Sequence, residues 1–296
     1  ISPDVETEMS AAWTPRWAYL SGYWRADTDW SDASPYGNNG TAIGGTFIDT
    51  SVKKIGLGSG SFDGVDDVVN ISDNDGLDLL LQSSMTIAFW VKLDSDNEGV
   101  LSRLISKVCF DGSSFVSSSY LITKTTSNEV EFAASSDGAT FTGVVTSPVR
   151  SDMWNHFLVT YDGTDLKIYL NGELNATTAF AGPIFNGTNN LVFGARSQGP
   201  GCTARAQHSS VHLDEIAIWS KVYSEGEASF LFNRQKQKFS GHYDSPVIDT
   251  GVVTGYVWDK LSWVTPLPFG KEMPGDTNTD GTPDSESSVQ YSALAG

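Results

Sequence analysis

Short segments with an apolar residue at every second position dominate this chain of 296 residues. From Met85 to Leu93 the odd-numbered residues are all apolar, so they would line one face of an extended strand. The same alternation recurs at 120–125, 130–134, 156–161, 166–170, 191–193 and 211–218. Turns rich in Asp, Asn and Gly at 162–165 and 171–173 indicate hairpins between such segments. The sequence therefore predicts an all-β fold, a two-sheet antiparallel jelly-roll sandwich.

One segment near residue 225 has helical features instead. Ser224 and Glu227 form a capping box, and Glu225 adds negative charge to the first turn. An apolar stripe follows at 228, 231 and 232, and basic residues follow from 234. We expect one short helix that packs on an edge of the sandwich.

Composition excludes several classes of partner. Hydrophobic residues make up 39% and aromatic residues 11% of the chain, which is enough for a packed core. The 18 Lys and Arg against 36 Asp and Glu give a net charge of −18, so nucleic acid and anionic membrane surfaces are disfavoured and divalent cations are favoured. No apolar run is long enough to span a bilayer, and the first residues lack the profile of a signal peptide.

The composition changes along the chain and suggests four parts. Residues 1–16 form a lead-in, residues 17–240 form the sandwich, and residues 241–273 form a β extension or partial module. Residues 274–296 have the Gly, Asp, Thr and Ser content of an acidic linker.

The two cysteines, Cys109 and Cys202, stand far apart in Gly- and Ser-rich stretches. In an exported protein they would form one disulfide, and two buried free thiols are the alternative.

Seven sequence blocks in order resemble the laminin-G-like, concanavalin A-like jelly rolls of extracellular proteins, including bacterial-type adhesin repeats. The resemblance extends over about residues 17–235, through the blocks TyrLeuSerGlyTyrTrp (19–24), AspAlaSerProTyrGlyAsnAsnGly (32–40), SerPheAspGlyValAspAsp (61–67), MetThrIleAlaPheTrpValLys (85–92), TrpAsnHisPheLeuValThrTyrAsp (154–162), LysIleTyrLeuAsnGly (167–172) and LeuAspGluIleAlaIleTrp (213–219). It implies two stacked antiparallel sheets, a location outside the cell, and a role in carbohydrate binding, adhesion or surface display that is often supported by calcium.

The resemblance also implies a calcium site. The loop at 32–40 matches the one whose Asp and turn carbonyl hold a structural cation in the family, and Asp214 matches the strand carboxylate that faces it. Asp32, Gly37 through its carbonyl, and Asp214 are therefore the predicted Ca²⁺ ligands. An Asx-turn at Asp32 and a hydrogen-bonded carboxylate at Asp214 are the alternative.

The acidic linker contains a second calcium pattern. Asp276, Asn278, Asp280 and Asp284 have the spacing of thrombospondin type 3 loops, with Gly281 at the sharp turn. A solvated acidic linker is the alternative. The Asp-rich segment 63–67 is interpreted as a Gly-containing hairpin turn rather than as a further cation site.

Catalytic motifs are absent from the sequence: it has no nucleophile elbow, P-loop, metalloprotease motif or glycosidase carboxylate strand. Glu129 and Glu131 share one face of a strand, where solvated carboxylates are the simpler interpretation than an acid/base pair. His208 and His212 likewise share a face, and we favour packing roles over a metal pair.

Two long polar stretches, 108–119 and 196–210, are the best candidates for recognition because irregular loops on a rigid sandwich commonly bind ligands. A sugar site would combine aromatic rings with hydrogen-bonding groups. The candidates at these stretches and the neighbouring strand ends are Arg103, Lys107, Phe110, Phe115, Lys124, Phe141, Arg196, Arg205 and His208. Sequons at Asn39, Asn70, Asn175 and Asn186 matter only in a source that glycosylates.

The sequence and the resemblance together predict a non-enzymatic, secreted or cell-surface binding module. It would recognise a glycan or a surface protein through loops at the rim, be stabilised by Ca²⁺, contact neighbouring modules of a larger surface protein or fibre, and possess a surface for homo-oligomers. A structural spacer without a ligand and a polysaccharide-degrading enzyme are the alternatives.

Overall fold

A computed structural model describes residues 17–77, 83–95 and 98–236. The predicted lead-in 1–16, the β extension 241–273 and the linker 274–296 with its calcium pattern lie outside the described residues. Within them the chain forms eighteen strands, three short 3-10 helices and an α-helix, α1 (Glu225–Lys236). None of the described helices has the length and apolar content needed to cross a bilayer.

The strands follow the alternating segments of the sequence, and β6 has the predicted bounds. They are β1 (Leu20–Trp24), β2 (Thr41–Ile43), β3 (Phe47–Asp49), β4 (Ser59–Asp63), β5 (Val68–Ile71), β6 (Met85–Leu93), β7 (Ser102–Lys107), β8 (Cys109–Phe110), β9 (Tyr120–Lys124), β10 (Val130–Ala134), β11 (Thr142–Val145), β12 (Trp154–Tyr161), β13 (Asp165–Leu170), β14 (Glu173–Ala179), β15 (Leu191–Phe193), β16 (Arg196–Gln198), β17 (Ala204–Ala206) and β18 (Ser210–Trp219). The short helices are Trp17–Tyr19, Asp75–Leu77 and Pro200–Cys202.

Two antiparallel sheets form the sandwich and confirm the predicted fold class. The first sheet has the order β14-β13-β12-β6-β18-β4-β3, with β1 also paired to β18. The second has the order β11-β10-β9-β7-β15-β5-β2. Both predicted hairpins are present, because β13 pairs with β12 and with β14. The core between the sheets buries alternate residues of each strand, for example Ile87, Phe89, Ile122, Phe132 and Phe157.

Helix α1 covers the outer face of the first sheet, whereas the sequence predicted a position on the sandwich edge. Ala228 and Leu231 join a second apolar cluster that includes Ala88 and Leu158 of this face. The outward faces of β6 and β12 include the buried apolar residues Ala88, Trp90 and Leu158, so this part of the sheet needs a cover. The predicted capping box is present: the Ser224 backbone N–H donates to Glu227 Oε2 at 2.8 Å, and the Glu227 N–H donates to Ser224 Oγ at 3.3 Å.

Two connections differ from the sequence interpretation. The Asp-rich turn at 63–67 joins β4 of the first sheet to β5 of the second, so it is a crossover between sheets rather than a hairpin. The polar stretches 108–119 and 196–210 are not irregular throughout, because β8, β16 and β17 form a third, small sheet in the order β17-β16-β8. Strands of two or three residues leave no detectable periodicity in a sequence.

Candidate binding site

The third sheet is held against the outer face of the second sheet, and this arrangement creates the candidate site. Strand β16 pairs in parallel with β8 through the Ser197–Cys109 and Gln198–Phe110 positions. The predicted Cys109–Cys202 disulfide is present and joins β8 to the short helix that precedes β17. The chain is therefore cross-linked at the edge of this small sheet.

Two further groups fix the third sheet in place. Arg205 Nη2 donates to Asn70 Oδ1 on β5 at 2.7 Å, and its Nη1 donates to the carbonyls of residues 202, 203 and 204 at 3.0, 3.2 and 3.0 Å. Gly194, at φ +83°, makes the turn from β15 toward β16. A Cβ at Gly194 would lie 2.4 Å from the Phe62 ring, so this turn requires glycine. Arg205 is thus an anchor of the third sheet.

Five of the predicted ligand-binding residues come together here and form what we name the Arg–Phe patch: Arg103, Phe110, Phe115, Phe141 and Arg196. The ring centroids of Phe110 and Phe115 are 5.4 Å apart, and those of Phe115 and Phe141 are 5.0 Å apart, both edge to face. The Arg196 guanidinium lies 4.6 Å from the centroid of Phe110. All three rings are half-buried, so each presents part of its apolar surface to solvent.

The two arginines of the patch share one electrostatic environment. Burial, and then the positive charge of Arg196, lower the pKa of Arg103 to about 10, while the negative charge of Glu131 opposes this shift. Burial also lowers the pKa of Arg196. Arg103 Nε donates to Gln207 Oε1 at 2.9 Å, and its Nη1 donates to the Thr123 hydroxyl. Both guanidinium groups stay protonated at neutral pH.

Arg196 has few acceptors among the described residues. Its Nη2 donates to Gln198 Oε1 at 3.0 Å, whereas its Nε and Nη1 are buried and have no hydrogen-bond partner in the described part of the chain. Buried charged N–H groups normally have an acceptor, which is a protein group, a water or a ligand. The patch therefore has unused capacity to bind an acceptor.

The remaining predicted ligand-binding residues lie elsewhere. Lys107 is fully buried and donates to the Asp73 carboxylate and to the carbonyls of Gly187 and Asn189. Lys124 is also buried and donates to the Val100 carbonyl at 2.9 Å. Both ammonium groups are engaged within the protein, and this placement removes them from the candidate surface.

The two histidines and the two strand glutamates have separate partners. His208 Nδ1 lies 3.5 Å from the Asp67 carbonyl, whereas His212 Nε2 lies 3.3 Å from Asp49 Oδ2, so the two rings have different partners. Glu129 Oε2 accepts a hydrogen bond from the Thr125 hydroxyl at 3.1 Å, and Glu131 acts on the patch through its charge on Arg103.

Asp32 organises the loop that was predicted to bind calcium. Its Oδ1 accepts from the backbone N–H groups of Tyr23 and Ser34 at 2.8 Å each. Its Oδ2 accepts from the Ser34 hydroxyl at 2.7 Å and the Asn38 N–H at 2.7 Å. A carboxylate has about four lone-pair positions, so a cation bound here would have to displace a protein donor. The Asx-turn alternative accounts for these contacts.

Asp214 is fully buried on β18, and its Oδ2 accepts from the N–H groups of Lys54 and Ile55 at 3.0 Å each. Gly37 lies in the Asp32 loop with φ +66°, and its carbonyl accepts the Asn39 N–H at 2.8 Å. Asp63, Asp66 and Asp67 bring their carboxylate oxygens within 4.8 Å of one another at the crossover turn. The assignment of Ca²⁺ to Asp32, Gly37 and Asp214 stays a prediction.

A thermal melt checks this calcium prediction. Ca²⁺ at ten times its Kd should stabilise the fold by about 1.4 kcal/mol, or roughly 3 °C in Tm, and Asp214→Asn should abolish the shift because it removes a charged ligand. Asp75→Asn, at an exposed carboxylate, is the matched control and should retain the shift. A wild-type Tm that does not respond to Ca²⁺ would remove the cation from the account of this fold.

Sequence reasoning missed three polar residues of the candidate site. Thr123 and Gln207 accept hydrogen bonds that orient Arg103, and Asn70 accepts one from Arg205. Thr123 is an outward residue of β9, whose inward and outward positions follow from the alternating pattern of the sequence. Its place on the face of the patch could therefore have been predicted. Gln207 directly follows β17, and Asn70 of β5 contacts Arg205 of β17. Both positions therefore depend on the third sheet, which the sequence pattern did not predict.

The comparison with known families decides the identity of the fold. The sequence pattern of the concanavalin A-like lectin/glucanases superfamily, in its laminin-G-like form, matches residues 63–229. The chain belongs to this superfamily. The matched residues of this laminin-G-like domain include the whole Arg–Phe patch, both cysteines and Asp214, whereas Asp32 and Gly37 precede them. No curated protein sequence matches the chain.

Several solved toxin domains resemble this laminin-G-like domain in fold. The binding domain of Paraclostridial Mosquitocidal Protein 1 has a TM-score of 0.57 and 17% identity, over 73% of this chain and 52% of that one. The receptor binding domain of botulinum neurotoxin C/D mosaic serotype has a TM-score of 0.58 and 13% identity, over 73% and 51%. That of botulinum neurotoxin type G has a TM-score of 0.53 and 16% identity, over 73% and 51%. The chain spans about half the length of these structures.

Proposed function

We propose that this laminin-G-like domain is a non-enzymatic extracellular binding module that recognises carbohydrate or a surface protein through the Arg–Phe patch. Calcium would stabilise it, and it would form part of a larger surface protein or fibre. The observation that carries the proposal is the patch itself, three half-buried phenylalanines beside two guanidinium groups on a surface fixed by a disulfide.

The physical properties of the patch suit recognition. A ligand gains most from surfaces that are already ordered when it arrives, because less conformational entropy is lost. The sandwich supplies a rigid base, and the cross-link restricts the third sheet. Aromatic rings with a few placed polar groups are typical of sites for small polar ligands such as sugars. The names of the similar toxin structures, which are binding and receptor binding domains, agree with this function.

The alternatives have less support. A spacer without a ligand gives no role to three half-buried aromatic rings beside two guanidinium groups. A polysaccharide-degrading enzyme would need two carboxylates about 5 to 9.5 Å apart across a bound sugar. Glu129 is hydrogen-bonded to Thr125 at 3.1 Å, and Glu131 lies beside the patch arginines, where it offsets their charge.

A glycan array, with a parallel screen of surface proteins, tests the proposal. We expect Phe115→Ala to weaken binding of any ligand at least tenfold, about 1.4 kcal/mol, because it removes the central ring of the patch. Phe47→Ala is the matched control, since Phe47 is 56% exposed on β3 of the first sheet.

The outcomes separate the candidate functions. Binding that Phe115→Ala weakens and Phe47→Ala leaves unchanged supports a module that acts through the patch. Binding unaffected by Phe115→Ala places recognition elsewhere on the molecule. An absence of ligands in both screens favours the spacer, and shortening of a polysaccharide in the same samples favours the enzyme.

A further inference from the structure

We propose that the Arg–Phe patch binds the oxyanion of an acidic saccharide, a carboxylate or a sulfate, against Arg103 and Arg196. This inference rests on the proposed function and specifies its ligand class. The sugar ring that carries the oxyanion would lie on the half-buried phenylalanines.

The sign of the local charge is the first argument. The chain carries a net charge of −18, so a randomly chosen surface is acidic. In the patch, however, two guanidinium groups lie near enough for Arg196 to lower the pKa of Arg103, and Glu131 is the acidic group that acts against this shift. At Arg103, therefore, a second guanidinium group acts against one carboxylate, and a positively charged pair attracts anions and repels cations.

The unused hydrogen-bond donors are the second argument. Two N–H groups of Arg196, Nε and Nη1, are buried without an acceptor in the described residues. An oxyanion offers several lone pairs together with the opposite charge, so it satisfies such donors better than a neutral hydroxyl does. A positively charged donor gains most from a partner that also neutralises it.

Arg205 supplies an internal comparison. It lies in the same small sheet, and its Nε is also buried without a partner among the described residues. Both of its terminal nitrogens, however, donate to protein acceptors, namely three carbonyls and Asn70. This is the pattern of an arginine that serves the fold. Arg196 instead lies over the Phe110 ring, and Gln198 is its single acceptor among the described residues. The terminal nitrogens of Arg205 are used to hold the fold, whereas a terminal nitrogen of Arg196 is left for a ligand.

The rings determine what kind of anion fits. A free inorganic anion would use only the guanidinium groups and would leave the exposed parts of Phe115 and Phe141 in water. A pyranose carries an apolar C–H face and polar edges, so one residue of an acidic polysaccharide can contact a ring and a guanidinium group together. Because the patch offers both an apolar ring and a charged donor, it favours an acidic saccharide over a simple ion.

The test compares three saccharide probes by calorimetry at low salt: an oligomer of a uronic acid, a sulfated oligomer and a neutral oligomer of similar length. We expect at least one charged probe to bind, and at least tenfold more tightly than the neutral probe. Arg196→Gln should weaken that binding at least tenfold, and raising NaCl to about 0.5 M should weaken it as well, because salt screens charge pairs. The two charged probes distinguish a carboxylate from a sulfate.

Two further variants control for the loss of charge and for misfolding. Arg150→Gln removes the same charge from an exposed position outside the patch and should leave the affinity unchanged. Arg196→Lys keeps the charge and should retain more affinity than Arg196→Gln, and an unchanged Tm shows that each variant is folded. A neutral saccharide whose binding depends on Phe115 but not on Arg196 would overturn this inference and leave the proposed function intact. Failure of all probes together with blank glycan and protein screens would overturn both.

Discussion

Lowering the pH from 7 to 4 should cost the folded domain about 3 kcal/mol through His156 alone. Burial, and then the positive charge of Lys54, lower the pKa of His156 from 6.5 to about 3. The unfolded chain therefore binds a proton that the folded domain excludes. The stabilisation that depends on neutral His156 is complete above pH 6.5 and is lost as the pH falls from 6.5 toward 3.

The surroundings of His156 explain the size of this effect. The imidazole is fully buried on the outer face of the first sheet, 5.0 Å from the ring of Trp90 and 5.9 Å from that of Phe232 on α1. Neither ring nitrogen has a hydrogen-bond partner within the described residues. Lys54 Nζ lies 4.2 Å from the Trp90 ring and adds positive charge nearby. A protonated imidazole would be desolvated and repelled at this position.

Urea unfolding at pH 7, 5 and 4 checks this prediction. His156→Phe should flatten the pH dependence between pH 6.5 and 4, because phenylalanine fills the same space without a titrating group. His208→Gln removes a half-buried histidine from a loop and serves as the control, which should keep the wild-type slope. Equal slopes for wild type and His156→Phe would contradict the assignment. At lower pH, protonation of Asp49, whose pKa is lowered to about 2 chiefly by the Ser51 hydroxyl, adds a separate loss.

The elements that the sequence predicted correctly have a strong local signal. Strand β6 alternates over its whole length, because one of its faces enters the core between the sheets. The start of α1 follows from the pair Ser224 and Glu227, which are three residues apart and contact each other directly. Each of these features depends on neighbours in sequence, so the sequence is sufficient to locate it.

The features that the sequence did not predict depend on long-range partners. Lys107 is buried because Gly187 and Asn189, 80 or more residues away, supply carbonyl acceptors. The cover of α1 over the first sheet was foreseeable in part, since Ala88 and Trp90 make the second face of β6 apolar as well. The patch required Phe110, Phe141 and Arg196 to meet across the third sheet, whose short strands give no periodic pattern. The residue types identified these three as binding candidates, whereas the sequence did not predict that they lie together.

Loss of the Cys109–Cys202 disulfide should destabilise the domain by about 4 kcal/mol. The two cysteines are 93 positions apart in sequence, so the cross-link closes a large loop in the unfolded chain. In the chain-entropy description, a loop of about 100 residues contributes roughly 4 to 5 kcal/mol. For a domain of this size the loss corresponds to about 10 °C in Tm. The variant for the test is Cys109→Ala combined with Cys202→Ala, since alanine leaves no polar group at the buried Cys109 position.

The same variant connects stability with the proposed binding function. Strand β8 pairs with β16 at two positions, and the Gly199 N–H adds a hydrogen bond to the Phe110 carbonyl at 2.9 Å. Without the cross-link, this short pairing and the hydrogen bonds of Arg205 and Arg103 would hold the third sheet. Ligand affinity should therefore fall in the double alanine variant even at a temperature where the sandwich stays folded. Ser114→Ala combined with Thr203→Ala alters the same two segments at exposed positions and should preserve both Tm and affinity. A double cysteine variant that melts within about 2 °C of wild type and binds normally would contradict this role, because the third sheet would then be ordered by its non-covalent contacts alone.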